Sequence, residues 1–315
     1  YRLHKQYRNF FVYLNPSLFY NSKNYTIRSG FGYRNDWVYL QFAKDNEVWG
    51  AGDNLELALG SKSQPYNYLL LGSDYGNVRV RYFHGFLEKI NTTNRYINGR
   101  GFEWTNKRSL ILGISEIVIY SGENRQFEIG YLNPISSHLE IEMNNRSTKN
   151  DWLDGGANAV WQLHFDSFYK GFRLSGNFLI DEFVLDSQIQ KNKENGIAFS
   201  LRLVTSSLKF DKKSINVMMS YKRVGSHTFR HGNGMNNFIQ ESIPLGWEYG
   251  SDGHSLSLGL NFLVDNYFIN LTKMDFIILG SESLINRPYE RYIEHDKGKF
   301  PSGELSNIFK LTNQL

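Results

Sequence analysis

Run after run of this chain alternates apolar and polar residues with a period of two, a pattern that fits strands and not helices. Ile197, Phe199, Leu201 and Leu203 alternate with Ala198, Ser200 and Arg202. Ile215, Val217, Met219 and Tyr221 alternate with Asn216, Ser220 and Lys222, and Leu256, Leu258, Leu260 and Phe262 with Ser255, Ser257, Gly259 and Asn261. Shorter rows follow the same rule: Val78, Val80 and Tyr82 against Arg79 and Arg81, and Trp161, Leu163 and Phe165 against Gln162, His164 and Asp166. Each run is about ten residues, enough to cross a bilayer when tilted.

A sheet with one apolar and one polar face has two homes. In a soluble sandwich or solenoid the apolar face packs against a second protein layer; in a membrane barrel it meets lipid and the polar face lines an interior. Composition helps choose. Aromatics make up 16% of the chain, with 20 Tyr and 23 Phe, yet mean hydropathy is -0.45. A barrel uses that mixture, because its lipid face and interfacial girdles take rings while its interior takes polar groups. No stretch matches the 18 or so apolar residues of a spanning helix, and the row from Leu110 to Tyr120 carries Glu116 in its middle. The absence of cysteine leaves no disulfide or thiolate site. A net charge of +4, from 35 basic and 31 acidic residues, is too balanced for a nucleic-acid binder.

Turn chemistry separates the runs. Asp74 to Asn77, Tyr120 to Asn124, Asp211 to Lys213 and Tyr249 to Gly253 read as short polar turns. Longer connections run from Asn46 to Tyr68, Asn133 to Gly156, Gly225 to Gly246 and Glu282 to Ser306. Short turns alternating with long loops is the asymmetry of outer-membrane barrels. The expectation is an all-β chain: one antiparallel transmembrane barrel domain over residues 1–315, about 14–18 strands, in a bacterial outer membrane. The first residue is Tyr1 and no leader is visible, so a signal peptide is expected to have been removed or left out.

Several segments, in order, resemble the Wzi-like capsule-assembly family, including related outer-membrane proteins of gliding bacteria. Glu47-Val48-Trp49-Gly50-Ala51-Gly52-Asp53-Asn54-Leu55-Glu56-Leu57-Ala58-Leu59 is similar to the family's Trp-Gly-x-Gly stretch running into an Asn-x-Leu-x-Leu strand. Arg79 to Glu88, with its Tyr82-Phe83-His84-Gly85 strand end, Asn98 to Trp104, Leu112 to Tyr120, Glu128 to Pro134, which ends in Tyr131-Leu132-Asn133-Pro134, and Phe178 to Phe183 follow. Ile243-Pro244-Leu245-Gly246 and Phe300-Pro301-Ser302-Gly303 complete the series. Each motif is short, and their collinear order from about residue 47 to 303 carries the resemblance. It implies a closed barrel of about eighteen strands, an occluded lumen and outer loops that bind polysaccharide. The chain ends on Lys310-Leu311-Thr312-Asn313-Gln314-Leu315 without a terminal aromatic and lacks the family's N-terminal extension, which suggests a version trimmed at one or both ends.

The residues themselves suggest three regions. Arg79, Arg81, Arg202 and Lys222 occupy polar rows, and on a lipid face an Arg at the midplane would cost about 2–4 kcal/mol, so alternation points them inward. Glu116, Asp181 and Glu182 are expected to oppose them there. One reading is a mutually paired interior; another is an electropositive path for an acidic glycan, since Arg offers carboxylates two donors. In the loop after Asn46, Trp49 supplies a ring for a sugar face and Asp53 and Asn54 supply groups for hydroxyls, or else Trp49 merely anchors a turn. His231, Asn233 and Trp247, in the polar stretch from His227, form a second glycan candidate; His227 and His231 make a poor metal pair, because Gly232 and Gly234 argue against a helix.

No nucleophile elbow, zinc-protease motif or phosphate-cradling turn is present, so the expected protein is not an enzyme and needs no cofactor or metal. The expected partners are acidic surface polysaccharide, outer-membrane lipid and other envelope proteins. Capsular polysaccharide binding is the leading function; a structural subunit of a secretion or motility assembly and a passive porin-like channel are the rivals.

Overall fold

The computed structural model describes residues 3–17, 26–138, 140–141, 156–182, 195–210, 213–264, 268–291 and 299–314. The alternating runs are strands. The first half of the chain gives β1 (Leu3–Tyr7), β2 (Phe10–Ser17), β3 (Thr26–Arg34), β4 (Val38–Asp45), β5 (Tyr66–Asp74), β6 (Val78–Ile90), β7 (Thr93–Thr105) and β8 (Leu110–Glu123). Next come β9 (Ala157–Tyr169), β10 (Phe172–Glu182), β11 (Gly196–Thr205), β12 (Leu208–Phe210) and β13 (Lys213–Val224). The rest are β14 (Ile239–Gln240), β15 (Ile243–Pro244), β16 (Gly253–Val264), β17 (Phe268–Leu279) and β18 (Ser306–Gln314).

One 16-stranded antiparallel sheet holds all but β14 and β15, which pair with each other. Its order follows the chain, β1 to β11 and then β13, β16, β17 and β18, with β12 beside β13. No pairing joins β1 to β18 among the described residues. The sheet curls round the segment of residues 46–65, which touches β6 through Glu47 and β10 through Ala51. This is the wall of an outer-membrane-type barrel, with a strand number inside the expected range.

Register keeps the two faces separate. β11 and β13 pair Leu201 with Tyr221 and Leu203 with Met219 on one face, and Ser200 with Lys222 and Arg202 with Ser220 on the other. Leu201, Leu203, Val217, Met219, Leu256, Leu258 and Leu260 are exposed, while Ser200, Arg202, Ser220 and Lys222 are buried. An exposed apolar row backing a buried polar one reverses a soluble sandwich and matches a wall between lipid and a polar lumen. Among the described residues no helix is long and apolar enough to cross a membrane, which says nothing of strands.

The ends differ as the loop lengths suggest. At one rim the turns around residues 8–9, 35–37, 75–77, 106–109 and 170–171 are tight; the longer connections, of which residues 46–65, 124–138, 225–252, 280–291 and 299–305 are described, leave the strands at the other. In outer-membrane barrels the short turns face the periplasm and the long loops the exterior. Two details depart from the sequence reading. The expected turn at Tyr120 to Asn124 is mostly strand, because β8 pairs with β7 as far as Glu123. Leu55 to Leu59 is not a strand of the sheet but a buried stretch inside the barrel. Asp211 and Lys212, read as a turn, lie outside the described residues.

Candidate functional site

The lumen divides into a packed half under the long loops and an open half toward the short turns. The packing begins with the 46–65 segment, a plug. Trp49, Leu55, Leu57 and Leu59 are buried, so the apolar residues that alternate here fill the barrel instead of facing lipid. Small polar groups from the wall hold the plug's backbone. The Asn177 amide accepts from the Ala51 N–H at 2.7 Å and donates to the Ala51 and Leu55 carbonyls at 3.1 and 3.2 Å. Ser200 donates to the Leu55 carbonyl at 2.8 Å, Arg202 to that of Asp53 at 2.7 Å, and Lys222 to that of Glu56 at 3.1 Å. Gly50 sits at φ 108 with Asn177 and Gln162 where a Cβ would go, so only glycine lets the chain pass so close to the wall.

Above the plug, residues 225–252, 280–291 and 299–305 form a cap. Trp247 N–H donates to the Leu57 carbonyl at 3.0 Å and Gly60 N–H to that of Leu245 at 2.8 Å, which ties the cap to the plug. Arg95, fully buried, pairs with Glu88 at 2.6 Å and donates to the carbonyls of Met235, Asn237 and Ile239. Ser121 donates to the Asn236 side chain at 2.6 Å and Asn158 to the Asn236 carbonyl at 3.2 Å. Within the cap, Arg230 pairs with Glu282 at 2.8 Å; burial draws its guanidinium below its ordinary pKa and Glu282 opposes that. The sequence reading made the stretch from His227 to Trp247 an outward polar loop. The structure corrects this: Asn236, Asn237, Gln240 and Trp247 are buried, because their polar groups bind the wall and neighbouring cap segments.

Below the plug lies a cavity of about 820 Å³. It reaches the β3–β4 turn at Asn35, Asp36 and Trp37, so it opens on the short-turn rim. Tyr13, Tyr39 and Tyr68 supply rings, and Arg34, Arg79 and Arg81 face Asp36, Asp45, Glu47, Asp74 and Glu103. Glu47, at the floor of the plug, organises the inner end. It pairs with Arg81 at 2.6 Å and accepts from the Trp49 indole at 3.0 Å, and the Arg81 guanidinium lies 5.4 Å from the Trp49 ring centre. Arg79 and His164 meet Glu103 at 3.1 and 3.0 Å, and Tyr13 donates to Asp45 at 2.7 Å. Paired charges and rings suit a hydroxyl-rich ligand, whose C–H faces stack while its hydroxyls bridge donors and acceptors.

Of the expected glycan residues, Arg79 and Arg81 line this vestibule, and Trp49 lies behind it against Arg81. Trp49 is not on an outward loop, however, and only 6% of its surface is exposed. Asp53 and Asn54 are exposed at the tip of the plug, with Arg202 beside Asp53. His231 and Asn233 lie far off in the cap, where Asn233 accepts from the Met235 N–H and His231 from the Asn233 N–H. Trp247 is buried under Lys222, whose ammonium is 6.0 Å from its ring centre.

The expected lumen charges divide. Arg202 and Lys222 point inward, and inward Asp181 accepts from the Phe229 N–H of the cap. Glu116 does not face the lumen. It shares the outward row with Ile114 and Val118, and its charge is met by Arg100 at 2.9 Å and His138 at 2.6 Å. The side chain of Glu182 lies outside the described residues. The described lining is not an electropositive track, because Arg34, Arg79 and Arg81 share it with Asp36, Asp45, Glu47, Asp74 and Glu103, and Arg79 and Arg81 are paired there. Glu47, Asn177, Ser200, Arg95 and Tyr13 were missed. Asn177 and Ser200 pair in an inward polar row that period-two alternation marks, although neither carries a charge.

No protein-family model and no curated protein sequence matches the chain. The fold is similar to that of Wzi of Escherichia coli, an outer-membrane protein involved in group 1 capsule assembly and a carbohydrate-binding β-barrel. That likeness has a TM-score of 0.61 at 13% identity over 87% of this chain. The chain spans 65% of the length of Wzi, less than two thirds. OprD of Pseudomonas aeruginosa, an outer-membrane protein, is also similar, with a TM-score of 0.44 at 9% identity over 96% of this chain and 74% of OprD. At these identities the likeness to Wzi shows a shared outer-membrane barrel fold.

Proposed function

We propose that this protein is a non-enzymatic outer-membrane barrel that binds or organises surface polysaccharide, as a divergent relative of the Wzi-like capsule-assembly proteins. One observation carries the reading: the lumen is stopped by a plug and cap, yet keeps a polar vestibule of about 820 Å³ lined by tyrosines and paired charges. A stopped barrel with an open, ring-lined pocket is built to hold a ligand, and its lining matches what saccharides need. The collinear motifs from Glu47 to Gly303 and the likeness to carbohydrate-binding Wzi add support. The plug argues against a diffusive pore. Because Arg79 and Arg81 are paired with carboxylates, hydroxyl recognition is weighted above charge attraction.

The test is mobility of the detergent-solubilised protein through gels carrying neutral or acidic polysaccharide. Retention is expected, and Arg79→Ala with Arg81→Ala should weaken it roughly tenfold or more, since a hydrogen bond to a charged group contributes about 1.5–3 kcal/mol. Undiminished retention by a double variant that still runs as folded barrel would remove the vestibule from the mechanism. No retention of any polysaccharide by the unaltered protein would remove the function.

A further inference from the structure

The outward faces of β6, β7 and β8 break the barrel's own rule. On β7 the outward row runs Trp104, Phe102, Arg100, Asn98, Tyr96, and on β8 it runs Leu112, Ile114, Glu116, Val118, Tyr120. On β6 the matching residues are Val78, Val80, Tyr82, His84 and Phe86. Toward the short turns these rows are apolar and exposed at Val80, Phe102, Trp104, Leu112 and Ile114. Toward the long loops they become polar, and Tyr82, His84, Asn98 and Glu116 are buried although they point away from the lumen.

The segment of residues 124–138 is what buries them. After β8 it folds back down the outside of the wall. Tyr131, fully buried, stacks on outward Tyr120 with ring centres 4.4 Å apart, and Phe127 stacks on His84 at 4.1 Å. Tyr82 and Asn98 donate to the Tyr131 carbonyl at 2.7 and 3.0 Å, and His138 meets Glu116 at 2.6 Å. The segment thus descends seven residues of β8, from Glu123 to the level of Glu116. Phe102 and Ile114 are the next outward residues along β7 and β8 from Arg100 and Glu116, toward the short turns.

Its own outer surface carries several large apolar side chains among a few exposed polar ones. Phe127 is 46% exposed, Ile129 77%, Leu132 38% and Ile135 90%. Arg125 and His138 turn inward onto the wall, Asn124, Gln126 and Asn133 stay exposed, and the large aliphatic residues turn away from the wall. That orientation is the reverse of a loop bathed in water.

We propose that residues 124–138 complete the lipid-facing belt on this side of the barrel, with Ile129, Leu132 and Ile135 in contact with outer-leaflet acyl chains. The occupant is lipid because the patch is continuous with the apolar rows of the same three strands, which already face the membrane. The segment supplies apolar surface where the strands carry charge, and it seals Arg100 and Glu116 from hydrocarbon. This goes beyond polysaccharide binding and stands or falls independently of it.

The chain has no cysteine, so single nitroxide labels are specific. Labels at Ile129→Cys and Ile135→Cys, in the full chain reconstituted into phospholipid vesicles, are compared with Leu163→Cys in the belt and Asp36→Cys in a short turn. The measurement is relaxation by oxygen, which concentrates in lipid, against relaxation by a water-soluble nickel chelate. Oxygen-to-nickel ratios within about twofold of Leu163→Cys support the proposal. Ratios resembling Asp36→Cys overturn it, and so does low access to both reagents, the sign of a covering protein. Each variant's folded state is read from its unheated mobility in detergent gels, and if one position does not fold, the other decides.

Discussion

The two halves of the lumen share one inward row of polar side chains and use it in opposite ways. Under the long loops, Asn177, Ser200, Arg95, Ser121 and Asn158 bond to plug and cap, mostly to backbone, and the space is full. Toward the short turns, Arg79 bonds to Glu103 and Tyr13 to Asp45, both side chain to side chain within the wall, Arg81 meets the plug only through the Glu47 side chain, and a cavity remains. Side chains that satisfy foreign backbone hold the lumen closed. Side chains that satisfy each other leave it open for a third party whose polar groups can join them. Closure and binding therefore come from different partners and not from different residue types.

Breaking the closed half should have the largest effect. Arg95→Ala removes the donors to three cap carbonyls and leaves Glu88 without its salt-bridge partner, so unfolding from vesicles should ease by about 3–5 kcal/mol, read from urea titration of tryptophan fluorescence. A shift below about 1 kcal/mol would mean that the cap is held elsewhere. Asn177→Ala comes next. It frees three bonds to the plug and should cost about 1–3 kcal/mol while raising single-channel conductance above that of the unaltered protein. Unchanged conductance in a folded variant would mean the cap alone stops the lumen.

The open half should respond least in stability and most in ligand affinity. Arg79 is 41% exposed in its pair with Glu103, so Arg79→Ala should change unfolding by less than about 1 kcal/mol. A loss as large as that of Arg95→Ala would show that the vestibule is a structural network. The contrast between the two halves would then collapse.

The strands could be read before the structure because a period of two needs only local sequence. Rows such as Leu256, Leu258 and Leu260 stay exposed, as a lipid-facing surface requires. Parity also put Arg202 and Lys222 inside. It was there to be read for Glu116 as well, which shares its row with Ile114 and Val118, but the expectation that a charge must face the lumen overrode it. Trp49 and the stretch from His227 to Trp247 failed for another reason. A loop's composition does not say whether its polar groups will bond to water or to a wall more than a hundred residues away, as Ala51 and Asn177 do.

Sequence by itself determined the strands, the lipid-facing rows and the alternation of short turns with long loops, because each depends on neighbours a few positions apart. Only the tertiary structure decided that one long loop would enter the barrel, that another would close it, and that a third would lie against its outside. Those outcomes hang on contacts such as Asn177 to Leu55 and Tyr120 to Tyr131, where polar or aromatic groups far apart or across a long connection complete one another. Packing and hydrogen-bond satisfaction are settled by what surrounds a group in space, and period-two alternation carries no record of that.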